Sequence, residues 1–329
     1  MAKKRGVIFG GAGGLCLLSL ILSLCLGAVP LSLAQLWQAL LDGPNDTAGW
    51  IFWYARLPRT MGCLLSGAAL SVSGAVIQGV LANKLASPGI IGVNAGAGLA
   101  VTLCCALGLL SGWAIALSAF GGAMVSVLFV VTAARRIGAS RSTVILGGVA
   151  VNSLLNALSE AVVTLIPDAA IFRGDFRVGG FSSVVHTRLV PAGILILVSL
   201  ALVLTLCNEL DVLSLGDDTA QSLGLPVRKM RTVFLILAAM LAGASVSFSG
   251  LLGFVGLMVP HTARKLVGSE SRFLLPLCAL GGGGFVTLCD IAARLLFAPY
   301  ELPVGILLAV LGCPFFLVLL KRKGGRSHD

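Results

Sequence analysis

The segment LSGAALSVSG, Leu65–Gly74, decides the fold, because it recurs as LAGASVSFSG at Leu241–Gly250. Six of the ten positions are identical, at an offset of 176 residues. Chance likeness between two helices rich in small residues is the alternative explanation. Opposite orientations of the two copies in the membrane would favour a true repeat.

The chain is strongly apolar along its whole length. Of its 329 residues 57% are hydrophobic and 11% are charged, whereas soluble domains are about one-quarter charged. Apolar runs long enough to cross a hydrocarbon core of about 30 Å recur throughout. In lipid the backbone amides of such runs must be satisfied internally, which favours helices. The period-two alternation of a barrel is absent from the sequence. The sequence therefore predicts an all-α polytopic membrane protein.

Ten membrane-spanning helices are predicted from these runs. They lie near residues 6–28, 59–82, 92–110, 112–133, 143–166, 190–207, 231–249, 253–267, 274–297 and 303–320. The first run is longer than the apolar region of a secretory signal peptide, so we interpret it as a retained helix. Glycines four residues apart, which let membrane helices approach closely, occur at Gly6-Gly10-Gly14, Gly92-Gly96 and Gly108-Gly112.

The basic residues predict the orientation. If the N-terminus is cytoplasmic, 17 of the 23 Lys and Arg residues lie in cytoplasmic segments, as the positive-inside rule requires. The other six are Arg56, Arg59, Arg173, Arg177, Arg188 and Arg294. We therefore expect a multi-pass protein of the cell (inner) membrane with both termini in the cytoplasm. The net charge of +10 reflects this topology and does not indicate a nucleic-acid surface.

This predicted topology gives the two copies of the repeated segment opposite directions in the membrane. The first copy runs from outside to inside, and the second runs from inside to outside. Helices 2–5 and 7–10 then form an inverted repeat, which is a recurrent way to build transporters with the pathway between the halves. The pattern favours transport over enzymology.

Polar residues within the fifth span support a pathway. Asn152, Asn156 and Ser159 fall at i, i+4 and i+7, so they share one helix face, and Glu160 is adjacent. Polar groups are costly in hydrocarbon and usually face a cavity or a partner. We expect these four residues to line the pathway, with hydrogen bonding between helices as the alternative.

Motifs of nucleotide-binding and hydrolytic enzymes are absent, including GxxxxGK[ST], HExxH and GxSxG. The three histidines are scattered, and the nine cysteines lie in or beside apolar spans without a CxxC pair. We expect no metal site and no cofactor, and we interpret the cysteines as packing residues. Asp290 and Arg294, four residues apart, predict a structural ion pair.

One charged insert interrupts the apolar pattern. The stretch NELDVLSLGDDTAQSLGLPVRKMR, Asn208–Arg231, carries seven charges in 24 residues. It reads as two short helices, the first ending at Gly216 and the second beginning with two aspartates and ending at Gly224. Pro226 stands where the next helix begins. Such order suits a rigid surface that docks a partner, and a plain cytoplasmic loop is the alternative.

Four separated stretches together carry a resemblance to a known family. They are ARLPRTMGCLLSGAALSVSGAVIQGVLANKLASPGIIGVNAGAG (Ala55–Gly98), the insert, GLLGFVGLMVPHTARKLVG (Gly250–Gly268) and LCDIAARLLFAPYELPVGILLAVLGCPFF (Leu288–Phe316). In this order they resemble the FecCD family, the permeases of ATP-binding-cassette (ABC) importers for iron–siderophore complexes, haem and vitamin B12. The likeness covers nearly the whole chain.

The resemblance implies a type II ABC importer permease fold, with residues 1–329 as a single transmembrane domain. It further implies a homodimer with the pathway at its interface, two cytoplasmic ATP-binding subunits and an extracytoplasmic substrate-binding protein. ATP hydrolysis would then belong to a partner, and this chain would not be an enzyme.

Site residues follow from the same resemblance. Within 208–231, the loop of coupling helices, the ATPase contacts would be Leu215, Gly216, Ala220, Leu223 and Gly224. The arginines that engage carboxylates of the binding protein would be Arg56, Arg59 and Arg294. The cytoplasmic gate would be Asn83, Leu85, Ser142 and Thr143, although plain capping also explains Asn83 and Ser142.

The chain departs from the family pattern at two positions. Lys84 stands where the family usually has proline, which places a flexible cation beside the gate. Phe176 stands where the family often has tryptophan, in the outer segment at the mouth of the pathway.

The leading interpretation is the permease of an importer for an iron–siderophore or a similar large metal chelate. Vitamin B12 and haem are the alternative cargoes. A secondary transporter driven by an ion gradient, with Glu160 as its coupling carboxylate, would also explain the repeat. It leaves the insert and the outward-facing arginines unexplained.

Overall fold

The computed structural model describes residues 2–27, 29–137 and 141–324, and every regular element in those ranges is a helix. The α-helices are α1 (Ala2–Cys25), α2 (Leu33–Asp42), α3 (Thr47–Trp50), α4 (Leu57–Val80), α5 (Val93–Ala106), α6 (Gly112–Ile137), α7 (Arg141–Leu165), α8 (Asp168–Val178), α9 (His186–Thr205), α10 (Cys207–Ser214), α11 (Asp217–Ser222), α12 (Val227–Ser249), α13 (Val255–Val267), α14 (Ser271–Leu295) and α15 (Val304–Gly324). A π-helical segment, Ile51–Arg56, leads into α4, and a 3-10 turn, Pro88–Ile91, precedes α5.

Each of the ten predicted spans coincides with one helix: α1, α4, α5, α6, α7, α9, α12, α13, α14 or α15. Within the described ranges, seven of these are long and apolar enough to cross a bilayer, α5 and α15 are shorter apolar helices, and α13, with 13 residues, meets neither description. The prediction of an all-α polytopic fold is confirmed. The third span ends earlier than predicted, at Ala106, because Gly108 turns the chain with a φ of +72°.

The two halves of the repeat have the same succession of helices. In the first half α4, α5, α6 and α7 have 24, 14, 26 and 25 residues. In the second half α12, α13, α14 and α15 have 23, 13, 25 and 21 residues. In both halves a short second helix stands between long ones.

The two copies of the repeated segment pack against each other in opposite directions. The hydroxyl oxygens of Ser66 and Ser245 are 2.5 Å apart, and the Ser73 hydroxyl donates to the carbonyl of Ala238 at 2.7 Å. From Ser66 to Ser73 the residue number rises along α4, while the number of the contacted residue on α12 falls from 245 to 238. These helices are therefore antiparallel. This is the arrangement that an inverted repeat requires.

Close helix crossings depend on a few glycines. A Cβ at Gly96 of α5 would lie 2.3 Å from the carbonyl oxygen of Gly122 on α6, so only glycine permits this approach. Gly6, Gly10 and Gly14 also have the spacing for a close helix approach, but no described helix of this chain lies against them. At these three positions a Cβ would meet no atom within 4 Å, so this face of α1 packs against no other described part of the chain.

The bundle has a buried centre and two chemically different ends. Helices α4, α12 and α14 are the most buried spans, whereas α1 and α7 leave most of their surface uncovered. We call the end that holds the insert, Asn208–Arg231, the insert end, and the opposite end, with Arg59 and Arg294, the arginine end. Helix α8 lies at the arginine end, where the carbonyl of Phe176 accepts from the backbone of Leu251 at 2.9 Å.

Candidate functional site

The insert folds as the sequence predicts, into the two short helices α10 and α11. Leu215 and Gly216 join them, and Gly216 has a φ of +128°, a conformation that favours glycine. The side chains of Leu215 and Leu223 flank α11 and are 64% and 62% exposed. Ala220, in contrast, is fully buried on the inner face of α11. Of the predicted ATPase contacts, the two leucines thus form the accessible apolar surface. Ala220 packs on the side of α11 that faces the bundle.

A carboxylate at the first turn of α11 binds two spanning helices. Both oxygens of Asp217 accept from Arg231 of α12 at 2.7 Å, and the Nε of Arg141 on α7 lies 3.1 Å from the same carboxylate. Arg141 also donates to the carbonyl of Leu213 in α10 at 2.7 Å. We call this group the Asp217 bridge. It ties the insert to one helix from each half of the repeat.

A second carboxylate fixes the other helix of the insert. Asp211 of α10 accepts from the backbone N–H and the hydroxyl of Ser271, at 3.0 and 2.6 Å, and so caps the start of α14. Burial, followed by the charges of Asp211 and Glu209, raises the pKa of the Cys207 thiol in the same helix. Cys207 therefore stays protonated near neutral pH, which suits a packing residue.

The arginine end contains a buried ionic cluster around Asp290. This carboxylate, which is 1% exposed, lies 3.1 Å from Arg59 and 3.1 Å from Arg294. Arg59 also binds Glu301 at 2.7 Å, and Arg56 donates to the carbonyl of Val29 at 2.9 Å. The predicted pair of Asp290 with Arg294 is therefore present, within a larger cluster that sequence spacing did not indicate.

The three predicted docking arginines of this cluster differ in their exposure to solvent. Arg56 and Arg294 are each 6% exposed and donate hydrogen bonds to other residues of the chain. The side chain of Arg59 is 14% exposed, and Glu301, which it binds, is 43% exposed. Arg59 is therefore the most accessible arginine of this set, and its ion pair with Glu301 lies partly at the surface.

The predicted gate residues lie at the insert end. The Asn83 side chain accepts from the backbone N–H of Leu85 at 2.9 Å, which closes the turn after α4. This bond is the capping role that the sequence left as an alternative. Ser142 and Thr143 lie in the first turn of α7, beside Arg141 of the Asp217 bridge. Lys84 is exposed and lines a cavity of about 210 Å³ together with Asp211.

The polar residues on one face of α7 have two different surroundings. Asn152 donates to the carbonyl of Gly89 at 2.7 Å, so it holds the 3-10 turn that precedes α5. Asn156, Ser159 and Glu160 instead line a cavity of about 340 Å³ between α5, α7 and α8. We call it the α7–α8 cavity. The alternative of hydrogen bonding between helices is therefore present at Asn152, whereas the pathway role of the other three residues stays a prediction.

Two arginines of α8 complete the α7–α8 cavity. Arg173 is 9% exposed and donates to the Ser159 hydroxyl at 2.8 Å and to Glu160 at 3.1 Å. Arg177 is more exposed and binds the same carboxylate at 3.2 Å. Sequence analysis placed both arginines at the outer face without a site. Their spacing of four residues on α8 was the available signal, since it puts both on one side of a helix.

Metal-ligating side chains are not clustered in the described ranges, where no group of three or more His, Cys, Asp or Glu could hold an ion. The nine cysteines, all in described segments, have free thiols and mostly pack within the bundle.

Comparisons with known proteins agree with one another. The model of the FecCD transport family matches residues 15–322. The hemin transport system permease protein HmuU of Yersinia pestis is 37% identical over 94% of this chain and 95% of its own length. The iron-uptake system permease protein FeuB of Bacillus subtilis is 36% identical, covering 94% of each. The vitamin B12 import system permease protein BtuC of Escherichia coli is 37% identical over 94% of this chain and 93% of its own length.

The fold is also similar to that of a solved protein. A structure described as an inward-facing metal-chelate type ABC transporter superposes with a TM-score of 0.86 at 29% identity. The match covers 96% of this chain and 99% of the other.

Proposed function

The chain belongs to the FecCD transport family, and from this premise we propose that it is the membrane-spanning permease subunit of an ABC importer for an iron–siderophore or a similar large metal chelate. The observation that carries the proposal is the insert: two helices that present exposed leucines and are tied to the spanning helices through Asp217 and Asp211. Such a unit can pass a movement of a docked partner to the bundle.

The partner at the insert is an ATPase subunit in this proposal. Leu215 and Leu223 supply an exposed apolar surface for docking, with Gly216 and Gly224 shaping the turns on either side of α11. ATP binding and hydrolysis on two such subunits would move a homodimer of this chain between outward-open and inward-open states. The permease itself performs no chemistry.

The insert end is cytoplasmic in this proposal, and both termini lie on that side. The excess of basic residues in these segments supports the orientation. The arginine end then faces the substrate-binding protein. Arg59 would bind a partner carboxylate in exchange for Glu301, while Arg56 and Arg294 hold the cluster in place.

The pathway would lie between two copies of the chain, along α7. This helix leaves most of its surface uncovered, and its exposed residues include Asn156 and Glu160. The gate at the insert end would comprise Asn83, Leu85, Ser142 and Thr143. Lys84 beside them adds a positive charge at the cytoplasmic exit.

Haem and vitamin B12 are the alternative cargoes, and the similar permeases from Y. pestis and E. coli are named for these. An ion-gradient mechanism through Glu160 has weaker support. Its carboxylate is already bound by Arg173 and Arg177, which gives it a structural explanation.

The test is affinity purification of the tagged chain from its native membrane in mild detergent, with identification and counting of the co-purifying proteins. We expect two copies of the chain with two P-loop ATPase subunits. ATP-dependent uptake in liposomes should follow when the binding protein is added. A lone chain that moves solute down an ion gradient would overturn the proposal.

A further inference from the structure

The α7–α8 cavity has an unbalanced charge. Three charged side chains line it: Arg173, Arg177 and Glu160. Two positive charges therefore share one carboxylate, which leaves one net positive charge among the residues that line the cavity. A cavity lined by an excess of one sign of charge attracts ligands of the opposite charge.

The cavity also holds hydrogen-bond donors without a partner in the described part of the chain. One guanidinium nitrogen of Arg177 donates a hydrogen bond to Glu160. The other donors of Arg177 have no partner among the described residues. The amide groups of Asn94 and Asn156 line the same space without a hydrogen bond to any described residue. A ligand rich in acceptor oxygens would satisfy all three side chains.

The two arginines have different roles. Arg173 is buried and fixed by Ser159, Thr102 and Glu160. It forms the rigid wall of the site. Arg177 and Glu160 are 65% and 56% exposed at the side chain, so their ion pair can open at low cost. Glu160 thus occupies the position that an incoming carboxylate would take.

We propose that the α7–α8 cavity binds a carboxylate group of an anionic metal chelate, which displaces Glu160 from Arg177. The guanidinium of Arg177 offers the paired donors that suit a carboxylate, and Asn156 and Asn94 add neutral donors beside it. With a volume of about 340 Å³, the cavity holds one arm of a large chelate rather than the whole ligand. This inference rests on the proposed transport function for its biological meaning.

Binding can be tested on the full chain in lipid nanodiscs, by calorimetry with citrate as the carboxylate probe. We expect Arg177→Gln to weaken citrate binding by about tenfold, through loss of a charge-assisted hydrogen bond. Glu160→Gln should strengthen it several-fold, because the internal competitor is removed. The matched control is Arg188→Gln, an arginine at the same end that binds the carbonyl of Ser183 outside the cavity.

Opposite effects of the two cavity variants, with the control unchanged, are the expected result. Equal citrate binding by the native chain, Arg177→Gln and Glu160→Gln would overturn the inference. Arg173 is left intact because its removal would also disturb the packing of α8.

Uptake by the complete importer separates this inference from the proposed function. In proteoliposomes, Arg177→Gln should slow ATP-driven uptake of a ferric tricarboxylate chelate and leave that of a neutral trihydroxamate chelate unchanged. ATP-driven uptake that ignores Arg177 for both chelates would overturn the inference alone. Citrate binding with the expected pattern, but no ATP-driven uptake of any chelate, would overturn the transport function alone.

Discussion

Neighbouring residues of the insert differ sharply in accessibility. Leu223 is exposed, whereas Ala220, three residues earlier, is buried. The family resemblance indicated both residues, but the sequence alone could not tell which one is accessible. That distinction depends on how α11 rests on the bundle, which no local spacing encodes.

We expect Leu223→Asp to abolish ATP-driven uptake while leaving the permease folded, because the new charge would enter an apolar cleft of the ATPase without a partner. Uptake into liposomes and co-purification of the ATPase measure the two effects. Ser269→Asp, which adds the same charge in the exposed turn between α13 and α14, is the control. Normal uptake by Leu223→Asp would contradict the docking role.

Asp290 illustrates a residue whose partners sequence could reveal only in part. Its pairing with Arg294 follows from helix periodicity, but its pairing with Arg59 joins residues 231 positions apart. Long-range pairs of this kind arise from the packing of α4 against α14. They are invisible to any local rule.

We expect Asp290→Asn to destabilise the protein by about 3 kcal/mol or more, because two buried guanidinium groups would lose their carboxylate. Glu301→Gln, at a carboxylate that is 43% exposed, should cost less than about 1 kcal/mol. Thermal unfolding of the detergent-solubilised protein, followed by size-exclusion fluorescence, compares the two. Equal melting temperatures would mean that the cluster does not stabilise the fold.

At the scale of helices, the positions of all ten spans could be predicted, but several of their ends could not. Hydropathy locates an apolar run and is insensitive to a turn inside it. The run at 92–110 contains Gly108, whose left-handed conformation ends α5. The small helix α8, with its two cavity arginines, was not predicted, because it is neither apolar enough for a span nor marked by a capping motif.

Packing between α5 and α6 should depend on one glycine and not on its neighbour. A Cβ at Gly122 would lie 2.3 Å from the Gly96 carbonyl oxygen, whereas one at Gly121 would meet nothing within 4 Å. We expect Gly122→Val to reduce the yield of folded, monodisperse protein severely, and Gly121→Val to leave it near the native level. Similar elution profiles for the two variants would contradict the close crossing.

The Asp217 bridge should couple the insert to the spanning helices. We expect Asp217→Asn to lower ATP-driven uptake several-fold while ATP hydrolysis by the assembled complex continues, because the link to Arg141 and Arg231 is weakened. Asp218→Asn is the matched control, since it removes a neighbouring charge from the same helical turn. A parallel loss of uptake in both variants would point to a general effect of charge at the start of α11.

For the whole molecule, the proposed topology of ten crossing helices would place the two termini on one side of the membrane. Fusions of alkaline phosphatase, which is active only outside the cytoplasm, check this orientation. We expect activity from a fusion after Leu109, between α5 and α6, and none from a fusion after Leu225, in the insert. The reverse pattern would invert the topology and move the ATPase surface to the wrong side.

The repeat gives the Asp217 bridge a mechanical consequence. Arg141 belongs to α7 in the first half and Arg231 to α12 in the second, yet both hold the same carboxylate. A displacement of the insert is therefore applied to the two halves together, and neither half can follow it alone. In the proposed homodimer the bridge would link the two halves of each copy, so that the work delivered by each ATP would move both halves of a copy together.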